Sequence, residues 1–337
     1  MVPVHPRAAL FDVGGGGPAL PVCDHYAGTQ ARMRKSLALQ AEMGPVFDVT
    51  LDCEDGAPVG GEVEHAQLLA ELIASALNVH GRVGARVHPV HHPAFAQELE
   101  TLVRGAGQRL AYLMVPKVRG VAEAEIACDE IDRLSRLHVK GRSIPTHVLI
   151  ETHGALREVW AIAALPRVES LSFGLMDFVS AHRGAIPAIA MTAAGQFEHP
   201  LVVRAKLEIA AACHAHGKTP SHCVVTEYED IDLLKVAAVK AARSFGYTRM
   251  WSIHPSQIHP IIDAFAPTAA EIDESVAILL AAQAADWAPI SYRSGTRTAL
   301  HDRASYRYFW HVLQRAQRTG QVLPAEARLA FFDSPGV

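Results

Sequence analysis

The chain has 337 residues, half of them hydrophobic and a fifth charged, so it can bury a large core and is not intrinsically disordered. Its net charge is −4 and it has no basic block, which excludes proteins whose main partner is nucleic acid. The length fits one large α/β barrel with an appendage, or alternatively two medium-sized domains.

The cysteines indicate the redox environment of the chain. There are five, an odd number, and most lie inside apolar runs: Cys23, Cys53, Cys128, Cys213 and Cys223. This pattern predicts buried thiols in a reducing compartment. We find no charged-then-apolar leader and no apolar run of membrane-spanning length, so we expect a cytoplasmic protein without a membrane partner.

The first 17 residues end in four glycines, Gly14 to Gly17, with no Gly-Lys-Ser/Thr after them. We therefore expect a flexible lead-in over residues 1–17 and not a phosphate-binding loop. Eight apolar, β-branched runs follow, and segments of helical periodicity separate them. The runs occupy residues 19–26, 47–55, 82–89, 110–118, 146–152, 168–177, 221–227 and 249–255. This alternation predicts a (β/α)₈ TIM barrel over residues 18–287, with an open doubly wound sheet as the competing architecture.

The end of the chain differs in composition from the barrel. Thr268, with Glu271 three residues later, has the capping-box pattern that opens a helix, which we interpret as the last barrel helix. Residues 288–337 are rich in aromatic residues and arginine and predict a C-terminal helical arm or lid. We expect its exposed aromatic side chains to pack against a neighbouring subunit.

Charged residues end most of the predicted strands. Asp52, Glu54 and Asp55 lie at the end of the second run. Arg86 lies toward the end of the third run, and Lys117 lies toward the end of the fourth. In a barrel of parallel strands, the carboxyl ends of all strands meet at one face, where active sites lie. We therefore predict that these side chains line one polar site.

Glu151 and Asp177 end the fifth and sixth runs, one βα repeat apart. Adjacent strands would bring both carboxylates to the same mouth. Two carboxylates without histidine or cysteine partners favour a partly hydrated Mg²⁺ over Zn²⁺. The alternative is that each carboxylate caps the helix after it.

Arg86 and Lys117 each allow two interpretations. Arg86 offers a planar fork of donors for a substrate carboxylate, or it pairs with Glu54 or Asp55. Lys117 could form a Schiff base with a carbonyl substrate. We prefer to interpret it as a buried counter-charge to the strand-two carboxylates.

Seven motifs, in order, resemble those of the HpcH/HpaI aldolase family, in its citrate lyase β-subunit-like branch. The motifs are AGTQARMRKSL (27–37), TLDCEDGAP (50–58), ARVHP (85–89), VPKV (115–118), IETHGAL (150–156), LSFGLMDF (171–178) and SIHPSQI (252–258). The resemblance runs from about residue 26 to residue 287. In strand one, Pro21 and Val22 stand where the family has an Arg-Ser pair, so the thioester and the acyl group stay open.

The resemblance implies roles for individual residues. Glu151 and Asp177 match Mg²⁺ ligands, and Arg86 matches the residue that binds the substrate carboxylate and the developing enolate. Glu54 and Asp55 match the acidic pair that orders this arginine and the lysine, Lys117. The remaining implied substrate contacts, besides Arg86 and Asp177, come from Gly174 and Met176.

Asp302, in LHDRASYR (300–307), resembles an acid/base aspartate that the C-terminal arm of a neighbouring subunit lends in malyl-CoA lyase relatives. The alternative is an exposed linker aspartate. The resemblance also implies a homotrimer or homohexamer.

The implied activity is that of a Mg²⁺-dependent carbon–carbon lyase. Its substrates would be small carboxylates or acyl-CoA molecules, such as citryl-, malyl- or citramalyl-CoA-like hydroxyacyl thioesters. One alternative is a free-acid class II aldolase that yields pyruvate or oxaloacetate. Another is a non-catalytic metabolite-binding subunit.

Overall fold

The structure is a computed structural model that describes residues 4–11, 20–57 and 59–333. It divides into two compact units. The barrel unit is Leu20–Phe265, and the terminal unit combines Met1–Ala19 with Ala266–Val337. The glycines Gly14 to Gly17 of the predicted lead-in lie outside the described residues.

The barrel unit contains eight parallel strands that form a closed barrel. They are β1 (Cys23–Ala27), β2 (Phe47–Asp52), β3 (Val83–Arg86), β4 (Leu110–Val115), β5 (Thr146–Ile150), β6 (Val168–Phe173), β7 (Thr219–His222) and β8 (Arg249–Ser252). Each strand pairs with the next, and β1 also pairs with β8. The predicted TIM barrel is confirmed, and the open sheet is excluded.

Helices follow the strands of the barrel unit along the chain. In chain order, the helices are α1 (Pro6–Leu10), α2 (Gln30–Met43), α3 (Glu62–Ala74), α4 (Phe95–Ala106), α5 (Val121–His138), α6 (His153–Arg157), α7 (Val159–Ala164), α8 (Leu175–Ser180), α9 (Pro200–Ala215), α10 (Ile231–Ser244), α11 (Ile258–Phe265), α12 (Ala269–Ala284), α13 (Arg303–Arg318) and α14 (Ala325–Phe331). The final helix of the barrel unit is α11, whereas α12 belongs to the terminal unit.

Side chains of the strands alternate between two environments, as strand geometry requires. Val49 and Leu51 of β2 are fully buried in the main apolar core of the barrel unit. The hydroxyl of Tyr112 on β4 donates to Asp24 on β1 over 3.0 Å and lies 3.4 Å from Arg249 on β8. Since β4 is not a neighbour of β1 or β8, these polar groups fill the barrel interior.

The terminal unit has its own core, which includes Trp310, Leu313 and Phe331. The capping box of Thr268 and Glu271 is confirmed, because the Thr268 hydroxyl accepts from the Glu271 backbone and the Glu271 carboxylate accepts from the Thr268 backbone. The end of the chain is helical over α13 and α14, as expected.

Two segments of the terminal unit differ from what the sequence suggested. Residues 6–10 of the expected flexible lead-in form α1, and Leu10 is buried in the core of this unit. The expected helical arm begins with an antiparallel hairpin, β9 (Ile290–Ser294) and β10 (Arg297–His301). Gly295, at a φ of +57°, adopts the left-handed conformation that a two-residue turn requires.

The five cysteines are free and buried, which confirms the interpretation of them as core thiols. No helix in the described part of the chain is both long and apolar enough to cross a bilayer.

Candidate active site

Arg86, the last residue of β3, is held by carboxylates from β2 and the loop after it. Asp52 accepts from Arg86 Nε over 2.6 Å and from Nη2 over 2.9 Å, which is a bidentate contact. The same carboxylate accepts from the backbone N–H groups of Glu54 and Gly56 over 3.0 and 2.6 Å. Asp52 is fully buried, so it fixes both the guanidinium and the loop.

The prediction that Arg86 pairs with Glu54 is confirmed by a distance of 3.3 Å between Nη1 and Glu54 Oε2. The bidentate partner, however, is Asp52, which the sequence analysis placed in the polar site without a specific role. Burial lowers the pKa of Arg86, but Asp52 and Glu54 outweigh it, so the pKa lies above its ordinary value. The guanidinium therefore carries a permanent positive charge.

Lys117 neutralises the acidic loop after β2. Its Nζ lies 2.6 Å from Glu54 Oε1 and 2.9 Å from Asp55 Oδ2. Burial lowers the pKa of Lys117, yet the hydrogen bonds to these carboxylates raise it well above its ordinary value. These ion pairs agree with the counter-charge interpretation, although the Lys117 side chain is 27% exposed and not buried. An amine held protonated in this way is a poor nucleophile for a Schiff base.

Lys117 also links the acidic loop to β5 and β6. Its backbone N–H donates to Glu151 Oε1 over 2.7 Å, and its Nζ lies 3.7 Å from Asp177 Oδ1. The residue has a φ of 51°, a left-handed conformation that costs free energy for a side chain with a Cβ. In this conformation, the Lys117 backbone contacts Glu151 while its side chain contacts Glu54.

Glu151 and Asp177 border the same lysine. Glu151 is buried, and Asp177 lies in the first turn of α8 with 43% of its side chain exposed. Burial first, and then the charge of Asp177, raise the pKa of Glu151 to about 8. Arg86 acts in the opposite direction on the same group. Both carboxylates therefore lie beside Lys117, and their joint binding of a metal ion stays a prediction.

Neither carboxylate acts as a helix cap. Thr152 caps α6 with its own hydroxyl, which accepts from the Ala155 backbone over 3.0 Å. Asp177 lies inside α8, whose N-cap is Gly174. The capping alternative for Glu151 and Asp177 is therefore wrong.

Gly174 is required by the position of Glu151. A Cβ atom on Gly174 would lie 2.6 Å from the Cβ of Glu151 and would overlap its Oε2. Met176, the next predicted substrate contact, is half-buried and packs against the main core of the barrel unit. The structure brings together Arg86, Glu54, Asp55, Lys117, Glu151 and Asp177 through these contacts.

Asp302 lies in the terminal unit and is exposed. Its carboxylate caps α13 by accepting from the backbone N–H groups of Ala304 and Ser305 over 3.0 and 3.3 Å. The residue thus has a structural role that the sequence analysis did not consider. Its acid/base role stays a prediction.

Sequence reasoning also missed two aromatic residues beside Arg86. Tyr26 and Trp251 stack with ring centroids 5.8 Å apart and planes 16° from parallel. The guanidinium carbon lies 4.8 Å from the Tyr26 ring and 5.9 Å from the Trp251 ring. Strand alternation could have identified Tyr26, because it lies two residues after the interior residue Asp24.

Comparison with known proteins agrees with this architecture. The family model described as HpcH/HpaI aldolase/citrate lyase matches residues 33–255, more than half of the chain. The chain belongs to this family. It is accordingly a carbon–carbon lyase, as the sequence motifs suggested.

A similar solved structure is that of a citrate lyase from Burkholderia xenovorans LB400, which is 52% identical to this chain. The match has a TM-score of 0.83 and covers 98% of this chain and 99% of that one. The L-malyl-CoA/beta-methylmalyl-CoA lyase of Rhodobacter capsulatus is 24% identical over 70% of this chain and 77% of its own length.

Protein CitE from Mycobacterium tuberculosis, solved in complex with magnesium, acetoacetate and coenzyme A, is 20% identical to this chain. The match has a TM-score of 0.64 and covers 90% of this chain and 99% of that one. At this level of identity, the likeness establishes a common fold.

Proposed function

We propose that this family member is a Mg²⁺-dependent lyase that cleaves or forms the carbon–carbon bond of a 2- or 3-hydroxyacyl thioester. The observation that carries the proposal is the pair of carboxylates beside Lys117: Glu151 directly after β5, and Asp177 in the first turn of α8, which follows β6. Malyl-CoA lyase and citrate lyase relatives support the substrate class.

The donor set fits a hard divalent cation. Glu151 and Asp177 offer carboxylate oxygens alone, and burial of Glu151 leaves its negative charge poorly solvated, which a cation would compensate. Among the described residues, no group of three or more His, Cys, Asp and Glu side chains is arranged to hold a metal ion. Two protein carboxylates, with water or substrate as the other ligands, are a usual arrangement for Mg²⁺. Bound Mg²⁺ would act as a Lewis acid that stabilises negative charge on a substrate oxygen.

Arg86 supplies a fixed positive charge for the substrate carboxylate. Asp52 holds its Nε and Nη2 edge, so the guanidinium has one orientation before substrate arrives. Preorganised charge stabilises developing negative charge without reorganisation during the reaction. We therefore assign carboxylate binding and enolate stabilisation to Arg86.

Lys117, Glu54 and Asp55 keep the charges of the site balanced. Burial raises the pKa of Asp55, but the hydrogen bond and the charge of Lys117 outweigh it and lower that pKa below its ordinary value. Lys117 is thereby kept as an ammonium group beside Glu54. Its role in the proposal is to fix the loop after β2 and to shield Arg86 from an excess of negative charge.

The test is to replace each metal-binding carboxylate by its amide, Glu151→Gln and Asp177→Asn. Glutamine retains an oxygen that can accept from the Lys117 backbone, so the fold should persist. We expect both variants to lose the rise in melting temperature that Mg²⁺ with oxaloacetate gives the wild type, since only a ligand of the native state stabilises it. Turnover of a panel of malyl-, citramalyl- and citryl-CoA should fall below detection.

The control is Glu125→Gln, which changes an exposed carboxylate on α5 and should behave as wild type. Mg²⁺-dependent turnover in either active-site variant would remove the assignment. Turnover of free hydroxy acids in place of the thioesters would support a free-acid aldolase instead. Binding without turnover over the whole panel would indicate a metabolite-binding subunit.

A further inference from the structure

Tyr26 lies at the carboxyl end of β1 and contacts the residue to which carboxylate binding is assigned. Its hydroxyl oxygen accepts a hydrogen bond from Arg86 Nη2. Its ring stacks on Trp251 of β8, with the planes 16° apart. Tyr26 is half-buried, so part of it remains accessible from the mouth of the barrel.

The hydrogen bonds of Arg86 determine which of its donors remain for a substrate. Asp52 takes the N–H of Nε and one N–H of Nη2. Tyr26 takes the other N–H of Nη2. The remaining nitrogen, Nη1, has its nearest carboxylate oxygen, Glu54 Oε2, at 3.3 Å. That Glu54 oxygen is buried and has no hydrogen-bond donor among the described residues. Nη1 is therefore the part of the guanidinium that can still bind an anion.

Tyr26 extends the donor set of this arginine. A phenol oxygen that accepts a hydrogen bond from a guanidinium cannot donate its own proton back, because arginine has no acceptor. The Tyr26 hydroxyl has no other hydrogen-bond partner among the described residues. Its proton is therefore available to donate to a ligand beside Arg86, and the charge of Arg86 makes it a stronger donor.

The aromatic stack holds this hydroxyl in place. Tyr26 and Trp251 come from β1 and β8, the two strands whose pairing closes the barrel. Both rings lie within 5.9 Å of the Arg86 guanidinium carbon. The indole N–H of Trp251 is buried and has no acceptor within the described part of the chain. Unpaired buried donors are uncommon in folded proteins, so this one calls for an explanation.

We propose that Tyr26 is a substrate-binding residue whose hydroxyl, together with Arg86 Nη1, binds the carboxylate of an oxo- or hydroxy-acid group. The inference rests on the proposed function, because it places that carboxylate beside Arg86. The new element is that the neutral phenol of Tyr26, on β1, completes the anion site formed by Arg86 on β3. The Tyr26 hydroxyl and Arg86 Nη1 would donate to the same carboxylate. This arrangement favours a carboxylate over a neutral carbonyl group.

The test compares a charged ligand with its neutral analogue in wild type and Tyr26→Phe. Phenylalanine keeps the stack on Trp251 and removes the hydroxyl alone. In the presence of Mg²⁺, we expect calorimetry to show pyruvate binding at least about tenfold more weakly to Tyr26→Phe, the effect of a lost hydrogen bond to a charged group. Pyruvamide, which has no negative charge, should change by less than about threefold on the same grounds.

Two further measurements complete the experiment. Tyr308→Phe removes an exposed hydroxyl on α13 and should bind both ligands as wild type does. A crystal structure of the wild type with Mg²⁺ and pyruvate should show the Tyr26 hydroxyl oxygen about 2.5–3.0 Å from a carboxylate oxygen.

Each outcome decides between the two proposals. If Tyr26→Phe binds pyruvate as wild type does, the Tyr26 inference is overturned and the lyase proposal stands. Equal weakening for pyruvate and pyruvamide would mean that Tyr26 only positions Arg86, which also overturns a direct contact. If the wild type binds neither Mg²⁺ nor pyruvate, the proposed function fails and the inference fails with it.

Discussion

At the scale of single residues, the geometry of the site depends on close packing between a few side chains and the backbone. Glu151 occupies the space that a side chain at Gly174 would fill, and Lys117 makes its contacts from a left-handed backbone conformation. Arg86 is held by Asp52 on one edge and by Tyr26 and Glu54 on the others. Small changes in volume here should therefore affect binding more than folding.

Gly174→Ala tests this steric argument. The added methyl group would overlap Glu151 Oε2, so the Glu151 carboxylate must shift from its present position. We expect Mg²⁺ affinity, measured by calorimetry, to fall by at least about tenfold, since a ligand displaced by an ångström loses productive geometry. Gly105→Ala on α4, where the new Cβ would lie 3.1 Å from the Ala70 side chain, is the control and should keep wild-type affinity. An unchanged affinity in Gly174→Ala would contradict the packing of Glu151 against this glycine.

At the scale of secondary-structure elements, the terminal helix α13 depends on the aspartate that was predicted as an acid/base. Asp302→Ala removes the cap and should lower the free energy of unfolding by about 1 kcal/mol in urea denaturation. Asp302→Asn keeps a capping oxygen and should unfold as wild type does. The asparagine variant thus separates the two roles. Loss of turnover in a stable Asp302→Asn would support the catalytic role, and full activity would contradict it.

Between α9 and β7, the barrel unit holds a fully buried lysine. Lys206 Nζ lies 2.6 Å from Gln196 Oε1 and 2.6 Å from His222 Nε2, with Cys223 also nearby. Burial is the main cause that lowers the pKa of Lys206 to about 8, and Lys240 contributes in the same direction. The unfolded chain, by contrast, has the ordinary value of 10.5. The lysine therefore opposes folding wherever it must be protonated.

The pH dependence of Lys206→Met against wild type follows from these values. Below pH 8 Lys206 is protonated in both states, and burying its charge lowers the free energy of unfolding by the full amount. Between pH 8 and about 10.5 Lys206 is protonated in the unfolded state but largely neutral in the folded state. The free energy of unfolding therefore rises with pH in this range, and the cost of the buried charge disappears. The stability of wild type relative to Lys206→Met should therefore improve by up to about 3 kcal/mol over that range. Urea denaturation at several pH values measures the difference, in which the contributions of the buried cysteines away from Lys206 cancel. The contribution of Cys223 does not cancel, because burial raises its pKa and the charge of Lys206 opposes that rise. Lys235→Met, an exposed lysine on α10, should show no such trend. A constant difference for Lys206→Met would contradict the lowered pKa.

At the scale of the whole molecule, the terminal unit exposes large apolar side chains. Leu300 and Val322 are both more than half exposed. Such side chains mark an interaction surface where they form a contiguous patch. The homotrimer or homohexamer stays a prediction that rests on the family resemblance. Light scattering after size exclusion should give three or six times the 36.4 kDa chain mass, and a monomer would contradict it.

Much of the barrel and of its charged rim was predictable from the sequence because the relevant patterns are local. All eight strands begin within four residues of the start of the predicted run: β1 begins four residues after its run does, and β7 begins two residues before its run. Apolar β-branched runs form buried parallel strands in whatever order they pair. The charged residues at the ends of most runs then lie on the same face of the barrel, since parallel strands all end on one face. The capping box at Thr268 is equally local.

Only the tertiary structure decided which charges pair. Asp52, Glu54 and Asp55 all carry a carboxylate, and the sequence does not show which cation each one pairs with. In the structure, strand alternation and the turn after β2 direct Asp52 to Arg86 and Asp55 to Lys117. Tyr26 and Trp251 are separated by most of the barrel sequence and meet because β1 pairs with β8. Such contacts depend on the register and closure of the sheet, which are set by all eight strands together, so no single segment encodes them.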